Sequence, residues 1–139
     1  GSKAADVKDL AGLKGMLIGA AAASTSFNAI EGAIPGAKAQ VFNSNDDAVL
    51  ALKNHQIDAI VVDLPTAFYL TSAELDNGVL VGQLPPTAGV SDSWGIVLPK
   101  DSPLTAEIDK ALDALKANGQ LDQITQQWLG AGAGAPTLS

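Results

Sequence analysis

The chain has 139 residues, enough for one ordinary domain with its own core. At 47% hydrophobic and 17% charged residues it is too apolar to stay disordered, yet no apolar run approaches the roughly 20 residues of a membrane-spanning helix. A net charge of -7 repels phosphate backbones and anionic lipid surfaces, so nucleic acid is not an expected partner.

In chain order, short runs rich in branched residues alternate with stretches of helical spacing, the pattern of an α/β layer fold. Met16 to Gly19 reads as a buried strand, followed by alanines and by Ser24-Thr25-Ser26, whose hydroxyls suit the start of a helix carrying Phe27, Ile30 and Ile34. Pro35-Gly36 ends that helix. Ala39 to Phe42 is the next strand, and Ser44-Asn45-Asp46-Asp47 places a cap and acidic residues at the positive end of a helix whose Val49, Leu50 and Leu52 are expected to face the core. Ile57 to Val62 is a nearly continuous apolar strand of the kind buried in a parallel sheet, and it stops at Asp63. Pro65 fits the first turn of a short helix over Thr66 to Ser72, and Val79 to Val81 form a further short strand.

Residues 83–92, "QLPPTAGVSD", carry two prolines, a glycine and no helical period, which marks a hinge or linker. Beyond it, Trp94 to Leu98 read as a strand. A helix follows with Ser102 as cap, Pro103 in its first turn and Leu104, Ile108, Leu112 and Leu115 as an apolar stripe closed by Gly119. A second helix carries Leu121, Ile124 and Trp128. The fold expected is therefore a three-layer αβα sandwich around a mostly parallel sheet of about five strands, with two C-terminal helices. Gly1-Ser2 reads as a cloning scar, with residues 1–6 a leader and no signal peptide. Residues 7–82 form the main α/β domain, 93–130 the C-terminal strand and helices, and 131–139 a flexible tail poor in packing groups.

Three segments, "NSNDDAVLALKNHQIDAIVVDLPTAFYL", "DSWGIVLPKDSPLTAEIDKALDALKANG" and "QLDQITQQWLG", resemble in order and spacing the type II extracytoplasmic amino-acid-binding proteins of ABC importers, solute-binding protein family 3. The resemblance runs from Val7 to Gly130. It implies two lobes that close on a ligand, of which this chain resembles lobe two and the C-terminal return to lobe one. It also implies an amino acid and a membrane permease as partners of the parent protein, and a periplasmic or extracellular location. Lobe one, with its aromatic platform and carboxylate-binding arginine, has no counterpart here, so weak or no ligand binding is expected of this chain alone.

Under the same resemblance Asp63 matches the acidic strand end that binds the ligand's ammonium group. Ser24, Thr25 and Ser26 match the hydroxyl-rich turn that receives its carboxylate. Physically, a carboxylate at the carboxyl edge of a parallel strand faces the crevice where α/β sheets take ligands, and free N–H groups at a helix start attract anions. The plain alternative is helix capping, by Asp63 ahead of Pro65 and by Ser24 ahead of Phe27. Where the family usually has glycine before the hydroxyl turn, Ala22 and Ala23 stand here.

No cofactor or metal is expected. Cysteine is absent, which removes thiolate ligands and cysteine nucleophiles, and the lone His55 sits in a polar turn with no second histidine. Trp94 and Trp128 read as core or interface anchors. Two other classes fit less well. An enzyme on the same fold, dehydratase-like, would need an acid or base in the crevice, for which only Asp63 and Glu74 are candidates. A flavodoxin-like signalling domain needs clustered acids after its first strand, where "LIGAAAAS" has none. For the strand Trp94 to Leu98 two fates are open: folding back into the sheet as a monomer, or exchange of the C-terminal segment in a homodimer.

Overall fold

A computed structural model of the protein describes residues 2–86, 93–130 and 134–139. Three strands, β1 (Leu17–Ala21), β2 (Lys38–Phe42) and β3 (Ala59–Ile60), form one parallel sheet in the order β2-β1-β3. β1 is central, with Ile18 paired to Ala39 on one side and to Ala59 on the other. Helix α1 (Thr25–Ala33) joins β1 to β2, and α2 (Asn45–Lys53) carries the chain from β2 past β1 to β3. Because the path steps first to one side of β1 and then to the other, right-handed crossovers put α1 and α2 on opposite faces. This is an α/β sandwich with helices on both sides of a parallel sheet.

Burial follows the alternation of side chains along β1. Ile18 and Ala20 face α1, where Ile30 and Ile34 complete a core shared with Ala4, Leu13 and Leu138. Ile18, Ile30 and Ile34 are fully enclosed, each contributing roughly 1.5–3 kcal/mol of transfer free energy. Gly19 points the other way. A Cβ there would stand 2.7 Å from Ile57 Cδ1 and 2.9 Å from Phe42 Cε2, so the missing side chain lets these two close over the strand. On the α2 helix Ala48, Val49 and Ala51 are buried. Leu50, expected inward, is 58% exposed, because it is turned about 100° from Val49 around the helix.

After β3 come α3 (Leu64–Tyr69), with proline in its first turn, and one π-type turn over Leu70–Glu74. The two expected C-terminal helices are α4 (Thr105–Ala117) and α5 (Gln120–Leu129), which pack on each other across a turn where Gly119 has φ +74. α4 begins two residues later than the proline suggests, although Ser102 Oγ still accepts from the Leu104 amide at 3.3 Å. Five α-helices are therefore present among the described residues.

The sheet is smaller than expected, with three strands rather than about five among those residues. Ile57 to Val62 contributes a ladder of only two residues, extended by Asp58 N donating to Leu17 O and Val61 N to Gly19 O. Val79 to Val81 join no ladder, and Val79 is exposed. Trp94 to Leu98 neither fold back nor pair, and Trp94, Ile96 and Val97 are exposed. The reason is common to both: apolar, branched composition suits a pleated surface but supplies no partner edge.

The C-terminal tail also differs from the loose end expected. Residues 131–133 and residues 87–92, the latter within the expected linker 83–92, lie outside the described residues, but residues 134–139 are docked. Gln83 N donates to Pro136 O at 2.8 Å and Leu138 N donates to Gln83 O at 2.9 Å, a short parallel bridge, while Gln83 Nε2 reaches Ala135 O at 2.7 Å. Ala135 and Leu138 are buried. At the other end Ser2 caps a 3-10 turn over Lys3–Asp6 and donates its hydroxyl to Asp58 O, and Ala4 is buried in the core.

Candidate functional site

In a parallel sheet all strands point the same way, so the helices that follow β1, β2 and β3 begin along one edge. Ser24, Ser44 and Asp63 are the three caps there. Ser24 and Asp63 follow β1 and β3, which are adjacent, and the direction of winding reverses between these strands. In open α/β sheets such a reversal is the place where ligands are received.

Ser24 is fully engaged. Its Oγ accepts from Phe27 N at 3.2 Å and donates to Ala21 O at 2.7 Å, which locks the turn between β1 and α1. Thr25 is exposed and Ser26 half-buried, and among the described residues their hydroxyls make no hydrogen bond. These two hydroxyls stand beside the free amides of the first turn of α1, a kind of position that attracts anions in general. Immediately ahead, Ala23 takes φ +55, a left-handed conformation that glycine adopts without cost and alanine does not.

Asp63 is exposed, and its carboxylate is held from within: Oδ1 accepts from Thr66 N at 3.1 Å and Oδ2 from the Thr66 hydroxyl at 2.7 Å. Capping is thus its local role, and the fixed carboxylate remains open to solvent. Thr66 is the neighbour of Asp63 that sequence reasoning missed. The Asp-x-x-Thr spacing, cap to third helical position, was the signal available.

Glu74 does not join this edge. It lies at the far end of the helical run from Asp63, roughly 15 Å along the axis, and its Oε1 accepts from Tyr69 Oη at 2.7 Å. It lines a shallow groove of ≈ 170 Å³ with Asp46, Val49, Leu50, Lys53 and Leu70, and none of Ser24, Thr25, Ser26 or Asp63 touches that groove. An acid pair made of Asp63 and Glu74 is therefore not assembled. His55 is exposed in a turn with φ +56. Among the described residues no three His, Cys, Asp or Glu side chains gather as a metal site.

No protein-family profile matches the chain. It is 33% identical over 130 residues to the ABC transporter glutamine-binding protein GlnH of Bacillus subtilis, covering 93% of this chain and 45% of that protein. It is 29% identical over 122 residues to the ABC transporter arginine-binding protein 1 of Escherichia coli, covering 87% of this chain and 50% of the other. The chain is thus similar, over most of its own length, to about half of amino-acid-binding proteins of ABC transporters. Solved structures agree. An ancestral arginine-binding protein bound to glutamine superposes with a TM-score of 0.59 at 28% identity, over 93% of this chain and 57% of that one. The GluR0 ligand-binding core from Nostoc punctiforme, in complex with L-glutamate, gives 0.59 at 25% identity, over 90% and 57%. The chain spans about half the length of the curated relatives it matches. The homology is to binding proteins rather than to enzymes.

Proposed function

We propose that this chain forms the second lobe, with the returning C-terminal segment, of an extracytoplasmic amino-acid receptor that delivers its ligand to an ABC permease. The supporting observation is the pair of caps on adjacent strands at one sheet edge, in a chain related to glutamine- and arginine-binding proteins. In this reading the Asp63 carboxylate meets the ligand's ammonium group as a charge-assisted hydrogen bond, held in place by Thr66. The amides and hydroxyls of Thr25 and Ser26 meet its carboxylate at the positive end of α1. The function is capture, and no group need gain or lose a proton.

One wall alone binds weakly. Association costs on the order of 4–15 kcal/mol in lost translational and rotational freedom, and half of the contacts a closed receptor makes are not in this chain. In the parent receptor the site is periplasmic or extracellular, facing the membrane permease. Titration of the isotope-labelled chain with glutamine and arginine tests this. Small amide shifts confined to residues 24–27 and 63–66, saturating only at millimolar concentrations or above, are expected. Submicromolar affinity in calorimetry would overturn the one-wall reading, and shifts centred on other residues would overturn the site.

A further inference from the structure

Gln83 is where the α/β domain releases the chain and where the chain comes back to it. On the domain side Val81 and Leu84 pack against the core, so the exit itself is fixed. Leu129, 46 positions further on, ends α5, and its carbonyl lies 3.4 Å from Gln83 Nε2. The same nitrogen donates to Ala135 O at 2.7 Å, while the Gln83 amide donates to Pro136 O at 2.8 Å and its carbonyl accepts from Leu138 N at 2.9 Å. One residue thus grips the end of the helical hairpin and the tail beyond it. The tail is seated further by Leu138, which is buried in the core, and by Leu10 N, which donates to Ser139 O at 3.1 Å. Gly82 is matched to that seat. A Cβ there would stand 2.6 Å from Pro136 O and 2.9 Å from the Leu138 side chain, so the tail lies this close only because the position is glycine.

The hairpin has little else to hold it. Among the described residues α4 and α5 pack chiefly on each other, and neither helix has a buried residue. A segment joined to a domain through one linker swings about that linker, whereas closing its base at Gln83 removes most of this freedom while ordering only the tail. We propose that Gln83 and residues 134–139 form a strap that pins the C-terminal hairpin to the α/β domain, with Gln83 the fixed point about which the hairpin turns but from which it does not part. Its meaning for the parent receptor rests on the proposed return of the hairpin to lobe one: there the strap joins the two lobes a second time, beside the linker, and limits how far they open. The pinning itself depends neither on that reading nor on the amino-acid site.

A distance between two spin labels on the intact chain tests it. Because the chain has no cysteine, Asn54→Cys at the end of α2 and Lys116→Cys in the last turn of α4 supply two exposed attachment points. The strapped chain should give one narrow distance distribution. Two substitutions should release the strap without removing a core side chain: Gln83→Glu replaces the donor that meets Leu129 and Ala135 with an oxygen, and Gly82→Ala drives Pro136 off its seat. In each, the narrow peak should be lost and the Leu138 amide should lose its protection from hydrogen exchange, while circular dichroism stays native. A broad distribution in the parent chain, or a peak that stays narrow in both variants, overturns the strap. Failure of glutamine and arginine to shift residues 24–27 and 63–66 would overturn the amino-acid site and leave the strap standing, so the two fail separately.

Discussion

Asp63 is bound twice to Thr66, by the amide at 3.1 Å and by the hydroxyl at 2.7 Å, so one carboxylate both starts α3 and stands fixed at the sheet edge. The two roles separate on substitution. Asparagine caps a helix as well as aspartate but brings no charge. Asp63→Asn should stay within about 0.5 kcal/mol of the parent in urea unfolding, whereas Asp63→Ala should lose about 1 kcal/mol. Amino-acid-dependent amide shifts should vanish in both. Retained shifts in Asp63→Asn would show that the charge is not what the ligand meets.

Ala23 sits at φ +55 directly before the hydroxyl turn. A left-handed alanine costs roughly 1–2 kcal/mol, of which glycine's greater freedom in the unfolded chain offsets part. Ala23→Gly is therefore expected to stabilise the protein by about 1 kcal/mol, while Ala22→Gly, whose φ is not positive, should destabilise it. Urea midpoints moving the same way for both would sink the strain argument.

The elements that could be read from sequence are those that carry their own start and stop. Ser24 and Ser44 were recognisable as caps because a hydroxyl precedes an apolar period, and each does accept from the amide three residues on, Phe27 and Asp47. Trp94 to Leu98 marks the limit. A run of apolar, branched residues reports a preference for a sheet, but the partner edge is encoded elsewhere, and among the described residues no edge takes them. The docking of the tail is not legible in the sequence for a related reason: a lone leucine in a glycine-rich stretch gives no periodic signal, and its docking depends on Gln83, more than fifty residues away. At the site, Asp63 was visible as the acid that stops a strand. The grip of Thr66 on it was not, because a side-chain pair is fixed only once the helix turn exists.

That docked tail makes a prediction of its own. Leu138 is buried in the core with Ile18 and Ile30. Leu138→Ala should destabilise the protein by roughly 2–5 kcal/mol, the usual loss for a buried leucine. A tail that floats free would give almost none, and urea unfolding distinguishes the two.

Gly19 leaves room for Ile57 and Phe42 over β1. Gly19→Ala should cost about 1–3 kcal/mol by overpacking. Ile57→Val removes the Cδ1 atom that a new Cβ would approach most closely, so the double variant should lose less than the sum of the single ones. Strict additivity would mean that the sheet yields elsewhere.

Tyr69 donates its hydroxyl to Glu74 at 2.7 Å, and that hydrogen bond, followed by the charge of the same carboxylate, raises the phenol above its ordinary value of 10.0. The folded chain thus holds the proton more tightly than the unfolded one. Its contribution to stability is complete below about pH 10 and drains away as pH rises through the raised folded value. Tyr69 is the only tyrosine, so tyrosinate absorbance reports this one group. Its midpoint should lie higher in the parent than in Glu74→Ala, and identical midpoints would mean that the Tyr69–Glu74 bond does not persist in solution.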